Sequence, residues 1–197
     1  MNHFAHLVLS QATVESTVGN LLGDFARGVD VTALPAPVQA GLLNHRAVDR
    51  FTDNHPLVLK MKRCFSQGRR RFAGIALDIY FDHLLLSHWE RFEQRGLDDL
   101  IDEFYRRMAA GRSLMPGTEM RRVTRRMIDY DWFGSYRDAD VIAESLDRVA
   151  ARIRFANEFD NAIEDLQRHH QLIRDGFFEF YPQLQQHIAE QGLETGC

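Results

Sequence analysis

The chain of 197 residues reads as all-α, a single helical bundle over residues 1–197. Apolar residues recur at helical spacing from end to end, while alternating strand-like runs of Val, Ile and Thr are almost absent. Gly and Pro fall between the periodic segments as punctuation.

The elements follow in order. A first helix is expected over Asn2 to Leu9. A second runs from Val14 to Arg27 and is closed by Gly28, a residue suited to a left-handed C-terminal cap. Pro35 and Pro37 mark a loop. The next helix spans Pro37 to about Asn54, because Pro is pre-organised at a first helical position and Pro56 disfavours helix just before it. Helices over Leu57 to Arg71 and Ala73 to Phe92 follow, punctuated by Gly68, Gly74 and Gly96, then Leu97 to Ala110 ending at Gly111. Pro116 and Gly117 open another. Amphipathic segments at Asp140 to Arg154 and Asn157 to Tyr181 complete the set, with Pro182 expected to kink or interrupt the last.

A hydrophobic content of 45% in 197 residues encloses one sizeable core, and no composition break calls for a second domain. The net charge of -4 gives no general attraction to nucleic acid or to an anionic membrane, so neither is expected as a partner. Two cysteines, Cys64 and Cys197, make neither a disulfide framework nor a thiolate metal site. With no basic leader before an apolar run and no membrane-length apolar stretch, the expectation is a soluble cytoplasmic protein.

Chemistry concentrates in the first 83 residues. His45, Asp49 and Asp53 stand four apart, which on a helix stacks them along one face with about 5.4 Å of rise per turn. Arg46 and Arg50 make a solvated polar face the plainer account. The stretch Ile75 to Leu86 tips the balance, since Asp78, Asp82 and His83 are its only ionisable groups besides Tyr80, in surroundings that predict burial. A buried carboxylate must neutralise, pair with a cation or bind a metal; pairing with arginine is the structural alternative. His6 in an apolar run and Asp24 between Leu22 and Phe25 add to the set, and one convergent site explains them better than separate accidents.

A shell of Asp and His without thiolate suits Mn²⁺, Mg²⁺ or Fe²⁺. The sequence holds no His-Glu-x-x-His, Walker loop, dinucleotide Gly-rich turn or Glu-x-x-His. Hydrolysis at phosphorus is then attractive, because a metal activates water and offsets the charge that repels nucleophiles from a phosphodiester.

Several ordered blocks carry a resemblance: Met1 and Asn2 with Phe4 to Leu7, Gly19 to Phe25, Gly41 with His45, Arg46 and Asp49, Phe51 to Pro56, Leu77 and Asp78 with Asp82 to Leu84, and Phe180 to Pro182. With these the chain resembles the acyl carrier protein phosphodiesterases, a divergent branch of the HD phosphohydrolase superfamily. The resemblance implies a distorted HD-like helical fold, a divalent metal, Mn²⁺ first, and cleavage of phosphopantetheine from holo-acyl carrier protein as the protein substrate. It departs from the superfamily in lacking an adjacent His-Asp pair, having only the reversed Asp82-His83.

On this footing a metal is expected on a subset of Asp24, His45, Asp49, Asp78 and Asp82, with Asp24 also counted as catalytic. His6 and His83 are the candidate proton donors. Asn20 is a candidate to hold a carboxylate or phosphate oxygen, with internal helix hydrogen bonding as its structural alternative, and Arg46 is a further substrate contact. Arg121, Arg122, Arg125 and Arg126, two four-apart pairs on one short helix, are the candidate dock for an acidic carrier. The rival readings are an HD-type phosphomonoesterase or nucleotidase and a non-catalytic helical interaction protein.

Overall fold

The computed structural model describes residues 1–155 and 157–195, and among these it contains eleven α-helices and no strand. They are α1 (His3–Val8), α2 (Val14–Leu22), α3 (Ala36–Asn54), α4 (Pro56–Arg63), α5 (Ala73–Ser87), α6 (Leu97–Ala110), α7 (Thr118–Asp129), α8 (Trp132–Ser135), α9 (Ala139–Ala150), α10 (Ile163–Arg168) and α11 (His170–Gln191). Cys197 lies outside the described residues. No described helix is long and apolar enough to cross a membrane.

The centre of the molecule is α5. It is apolar nearly all round, burying Ala76, Leu77, Ile79, Phe81, Leu84 and Leu85 among others, as a helix enclosed on every side must. α1, α4, α9, α10 and α11 pack around it. Phe81 meets Phe177 and Phe180 of α11 with ring centroids 5.1 and 5.8 Å apart. On the other side α2 and α3 come into backbone contact at Gly19 and Gly41. A Cβ on Gly19 would stand 2.3 Å from the Val38 carbonyl oxygen, so no larger residue allows that approach.

Several helices stop short of their expected ends. α2 ends at Leu22 rather than Arg27, where residues 23–25 tighten into a 3₁₀ turn. Gly28 does take the left-handed conformation, at φ 79°. α3 begins at Ala36, one residue ahead of Pro37. α4 ends at Arg63 rather than Arg71, because the Ser66 amide and hydroxyl turn to Asp165 (3.1 and 2.8 Å). α5 stops at Ser87, and the chain then folds so that Trp89 Nε1 donates to the Arg95 carbonyl at 2.7 Å. α9 ends at Ala150 rather than Arg154.

Residues from Asn157 onward do not start one long helix. The Asn157 side chain accepts from the Phe159 amide, Asn161 sits at φ 54°, and helix resumes only at Ile163. The expected break at Pro182 does not occur: α11 runs through it to Gln191. Phe177, Phe180, Tyr181, Leu184 and Ile188 are buried on both sides of the proline, and their packing outweighs the one amide that proline lacks.

Candidate metal centre and its cleft

His6 is held by a helix that does not cap itself. α1 has six residues, and Asn2 makes no side-chain cap bond. Its first free amides are met instead by Asp82, which accepts from Phe4 N (2.9 Å) and Ala5 N (3.0 Å) across 78 residues of sequence. Asp82 is fully buried, and burial lifts its pKa to about 7 against the two amides that favour the anion. Both of its oxygens thus serve the backbone of α1, and the expectation of Asp82 as a metal ligand is replaced by a capping role.

His45 is brought in by the tight pairing of α2 and α3. Gly23 lets the chain pass over its ring, since a Cβ there would stand 2.0 Å from His45 Cδ2. The Asn20 carbonyl lies 2.7 Å from His45 Nδ1. The Asn20 side chain is taken up internally: its amide donates to Ser16 O and Glu194 Oε1, and its oxygen accepts from Asn44. It therefore has no hand free for substrate, and it is the backbone of Asn20 that meets the site.

The rings of His6 and His45 stack with centroids 3.8 Å apart, and Asp49 spans their edges. Its Oδ1 is 3.1 Å from His6 Nε2 and its Oδ2 3.0 Å from His45 Nε2. His6, His45 and Asp49 form a group whose potential ligand atoms lie within 4.8 Å of one another. Burial drives His6 down to about 4, so it is neutral at physiological pH. Burial alone would raise the Asp49 carboxyl, but the two imidazoles outweigh it and hold Asp49 well below the usual carboxylate range.

This donor set fits a divalent cation on two observations. A carbonyl can only accept, so His45 Nδ1 must carry its proton, and a neutral His45 then turns a lone pair at Nε2 toward a carboxylate oxygen. Two such atoms 3.0 Å apart are joined by a cation, either a proton on the ring or a metal ion. Among the described residues His6 Nδ1 is also buried with no partner, while its Nε2 lies 3.2 Å from the Met1 carbonyl as well as beside Asp49.

The remaining candidates divide by place. Asp78 accepts from the Met1 α-ammonium at 2.9 Å, and the same ammonium lies 3.5 Å from Asp49. Asp24 sits against His3, its Oδ2 3.0 Å from His3 Nδ1. Burial alone would lower His3 and raise Asp24; each outweighs that for the other, so His3 is held above its ordinary value and Asp24 well below. Neither Asp78 nor Asp24 joins the compact group. Asp53, third in the helical stripe, is paired with Lys62 at 2.8 Å.

His83 is placed elsewhere. Its Nδ1 faces the Tyr136 carbonyl at 2.8 Å and its ring stacks on Tyr80, whose hydroxyl meets His170, and it is not part of the His6–His45–Asp49 group. Burial lowers its pKa. Arg46 is exposed on α3. The arginines of α7 lie on the surface: Arg121 donates to the Met115 carbonyl, Arg122 and Arg125 pair with Glu119 and Asp129, and Arg126 lies over Tyr130.

A candidate that sequence reasoning missed is His3, which pairs with Asp24 beside the cleft. The only signal for it was a second histidine one turn before His6. His3 and Asp24 line a cleft of about 930 Å³ that extends to α7 and α9.

A family model described as "Acyl carrier protein phosphodiesterase" matches residues 1–184. The chain is 32% identical over 197 residues to a protein of that description from Escherichia coli O6:H1, covering 98% of this chain and 100% of the relative. It is equally similar, 32% over 198 residues with the same coverage, to one from Salmonella agona. No solved structure matches the chain.

Proposed function

Because the chain belongs to the acyl carrier protein phosphodiesterase family, we propose that it hydrolyses the phosphodiester joining 4'-phosphopantetheine to a serine of holo-acyl carrier protein. The products are the apo-carrier and 4'-phosphopantetheine. His6, His45 and Asp49 are the residues that would hold a divalent cation, Mn²⁺ first, with Mg²⁺ or Fe²⁺ as alternatives. When bound, such an ion supplies the Lewis acidity that activates water and offsets charge at phosphorus. The observation that carries this reading is the approach of His45 Nε2 to Asp49 while Nδ1 is fixed by the Asn20 carbonyl.

The chain's own residues supply the rest. Asn20 fixes the His45 ring through that carbonyl, and second partners of this kind set ligand orientation and affinity. Serine alkoxide is a poor leaving group, so its oxygen needs an acid within reach. His3 suits that role, because Asp24 rests on its Nδ1 and favours the protonated ring, leaving Nε2 to give the proton. Arg121 and Arg125 of α7 steer the acidic carrier toward the site. We place the reaction in the cytoplasm, as part of the lipid synthesis that acyl carrier proteins serve.

The test is incubation of holo-acyl carrier protein with the protein and Mn²⁺, read by intact mass. The carrier should lose the mass of phosphopantetheine, and a chelator should stop the loss. An unchanged carrier mass under these conditions sinks the assignment. Full activity of demetallated protein would remove the cation from it. Phosphate release from nucleotides in place of carrier turnover would favour a small-molecule phosphomonoesterase.

A further inference from the structure

The cleft that begins at His3 and Asp24 is flanked by α7 and α9, which together contribute nearly half of its lining. Its volume, about 930 Å³, is at the upper end of the roughly 300–1,000 Å³ typical of small-molecule sites. Three features limit what it can take. One end is the His3–Asp24 pair, and Gly23 beside Asp24 lies against the His45 ring, so this end neighbours the candidate metal centre.

Its walls alternate chemistry. Val123 of α7 and Val141 and Val149 of α9 line it, together with the polar side chains of Asn2 and Ser145. Its rim is basic. Arg122, Arg126, Arg148 and Arg152 line it against Glu119 and Glu144. Glu119 is taken up by Arg122 and Glu144 lies 3.8 Å from Arg148, while Arg126 stacks on Tyr130 instead of pairing with an acid.

A ligand suited to these features is narrow and extended, has one anionic end, and mixes methyl or methylene groups with amides. We propose that this cleft is the seat of the 4'-phosphopantetheine arm, with the phosphate at the His3–Asp24 end and the pantetheine between Val123 and Val149. The assignment rests on the carrier-phosphodiesterase reading. It adds that the arm is read by a dedicated cleft and not by carrier contacts alone. Free 4'-phosphopantetheine is therefore a ligand in its own right and a product inhibitor competitive with the carrier. Trp132 also lines the cleft and reports on its occupancy.

The experiment titrates free 4'-phosphopantetheine into the full-length protein, followed by calorimetry and by tryptophan fluorescence. The expected result is saturable binding with a fluorescence change that Trp132→Phe removes. Val149→Phe and Val123→Phe, which add bulk to the cleft from α9 and α7, should each weaken binding at least tenfold while circular dichroism stays that of the wild type. Binding without any Trp132 signal, no binding at all by the wild type, or unaltered affinity in either folded variant would overturn the proposal. The wild-type fluorescence arm decides the matter even if both variants misfold. Release of phosphopantetheine from the holo-carrier is scored separately: turnover without cleft binding removes the cleft alone, and cleft binding without turnover removes the enzymatic reading.

Discussion

His45 has one neutral tautomer open to it, because its Nδ1 meets a carbonyl that can only accept. Its part in the site therefore depends on Asp49. Asp49→Ala should abolish measurable Mn²⁺ binding and carrier turnover while helix content by circular dichroism is kept; retained metal in that variant would count against the assignment. His3→Gln should keep its metal and lower the single-turnover rate by roughly 10²–10⁴-fold, the usual scale for a general acid. His83→Gln should change neither, since His83 is engaged with Tyr136 and Tyr80; a large drop in its rate with metal retained would return it to the mechanism. The four-residue spacing of His45 and Asp49 and the apolar setting of His6 were legible in the sequence. His3 was not, since nothing local distinguishes it and its partner Asp24 comes from another element. Asp82 was rightly expected to be buried with a partner, but that partner is backbone, which no side-chain pattern announces.

At the scale of the element, α1 depends on α5. Asp82→Ala would leave two buried amides unmet, at about 1–3 kcal/mol each, so a loss of roughly 2–5 kcal/mol is expected by urea unfolding. Asp82→Asn keeps an acceptor oxygen and should lose less. The pH dependence has a definite sign. With a folded pKa lifted to about 7 from an ordinary value of 3.8, the native state holds the Asp82 proton more tightly than the unfolded chain. Its contribution is fully present below about 3.8 and fades as pH rises through about 7. Stability from this residue should therefore fall from about pH 4 to about pH 7 in the wild type and change less in Asp82→Asn; equal slopes for the two would remove this residue as the cause. Helix type was readable from periodicity, whereas ends such as Arg63 of α4 were not, because Ser66 turns aside for an acid 99 residues away. Pro182 was misjudged for the same reason, with packing around α11 overriding a local signal.

For the molecule as a whole, the candidate ligands come from two separate stretches, residue 6 and residues 45–49, joined by packing of α1, α2 and α3. Ion binding should thus stabilise the entire fold. At a free Mn²⁺ concentration about a hundredfold above the dissociation constant the gain is about 2.7 kcal/mol, seen as a raised melting temperature that is absent in Asp49→Ala. Charge on α7 acts at longer range. Reversing Arg121 and Arg125 together should lower kcat/KM for the carrier roughly tenfold at low salt, and the wild-type value should fall as salt rises. A double variant indistinguishable from wild type across salt would leave that face merely solvated. The all-α class was plain from the sequence. The cleft was not, since it exists only where α7 and α9 stand apart over His3.

The capping of α1 by Asp82 also bears on how the protein is born. As the chain leaves the ribosome, His45 and Asp49 emerge together and one helical turn apart, offering any passing ion only two donors. His6 emerged earlier, but its six-residue helix lacks a cap of its own, so it has no fixed position until residue 82 follows. The third donor thus arrives by folding and not by synthesis. A nascent chain is therefore expected to offer no three-donor group until residue 82 has emerged, so that the choice of ion falls to the finished fold.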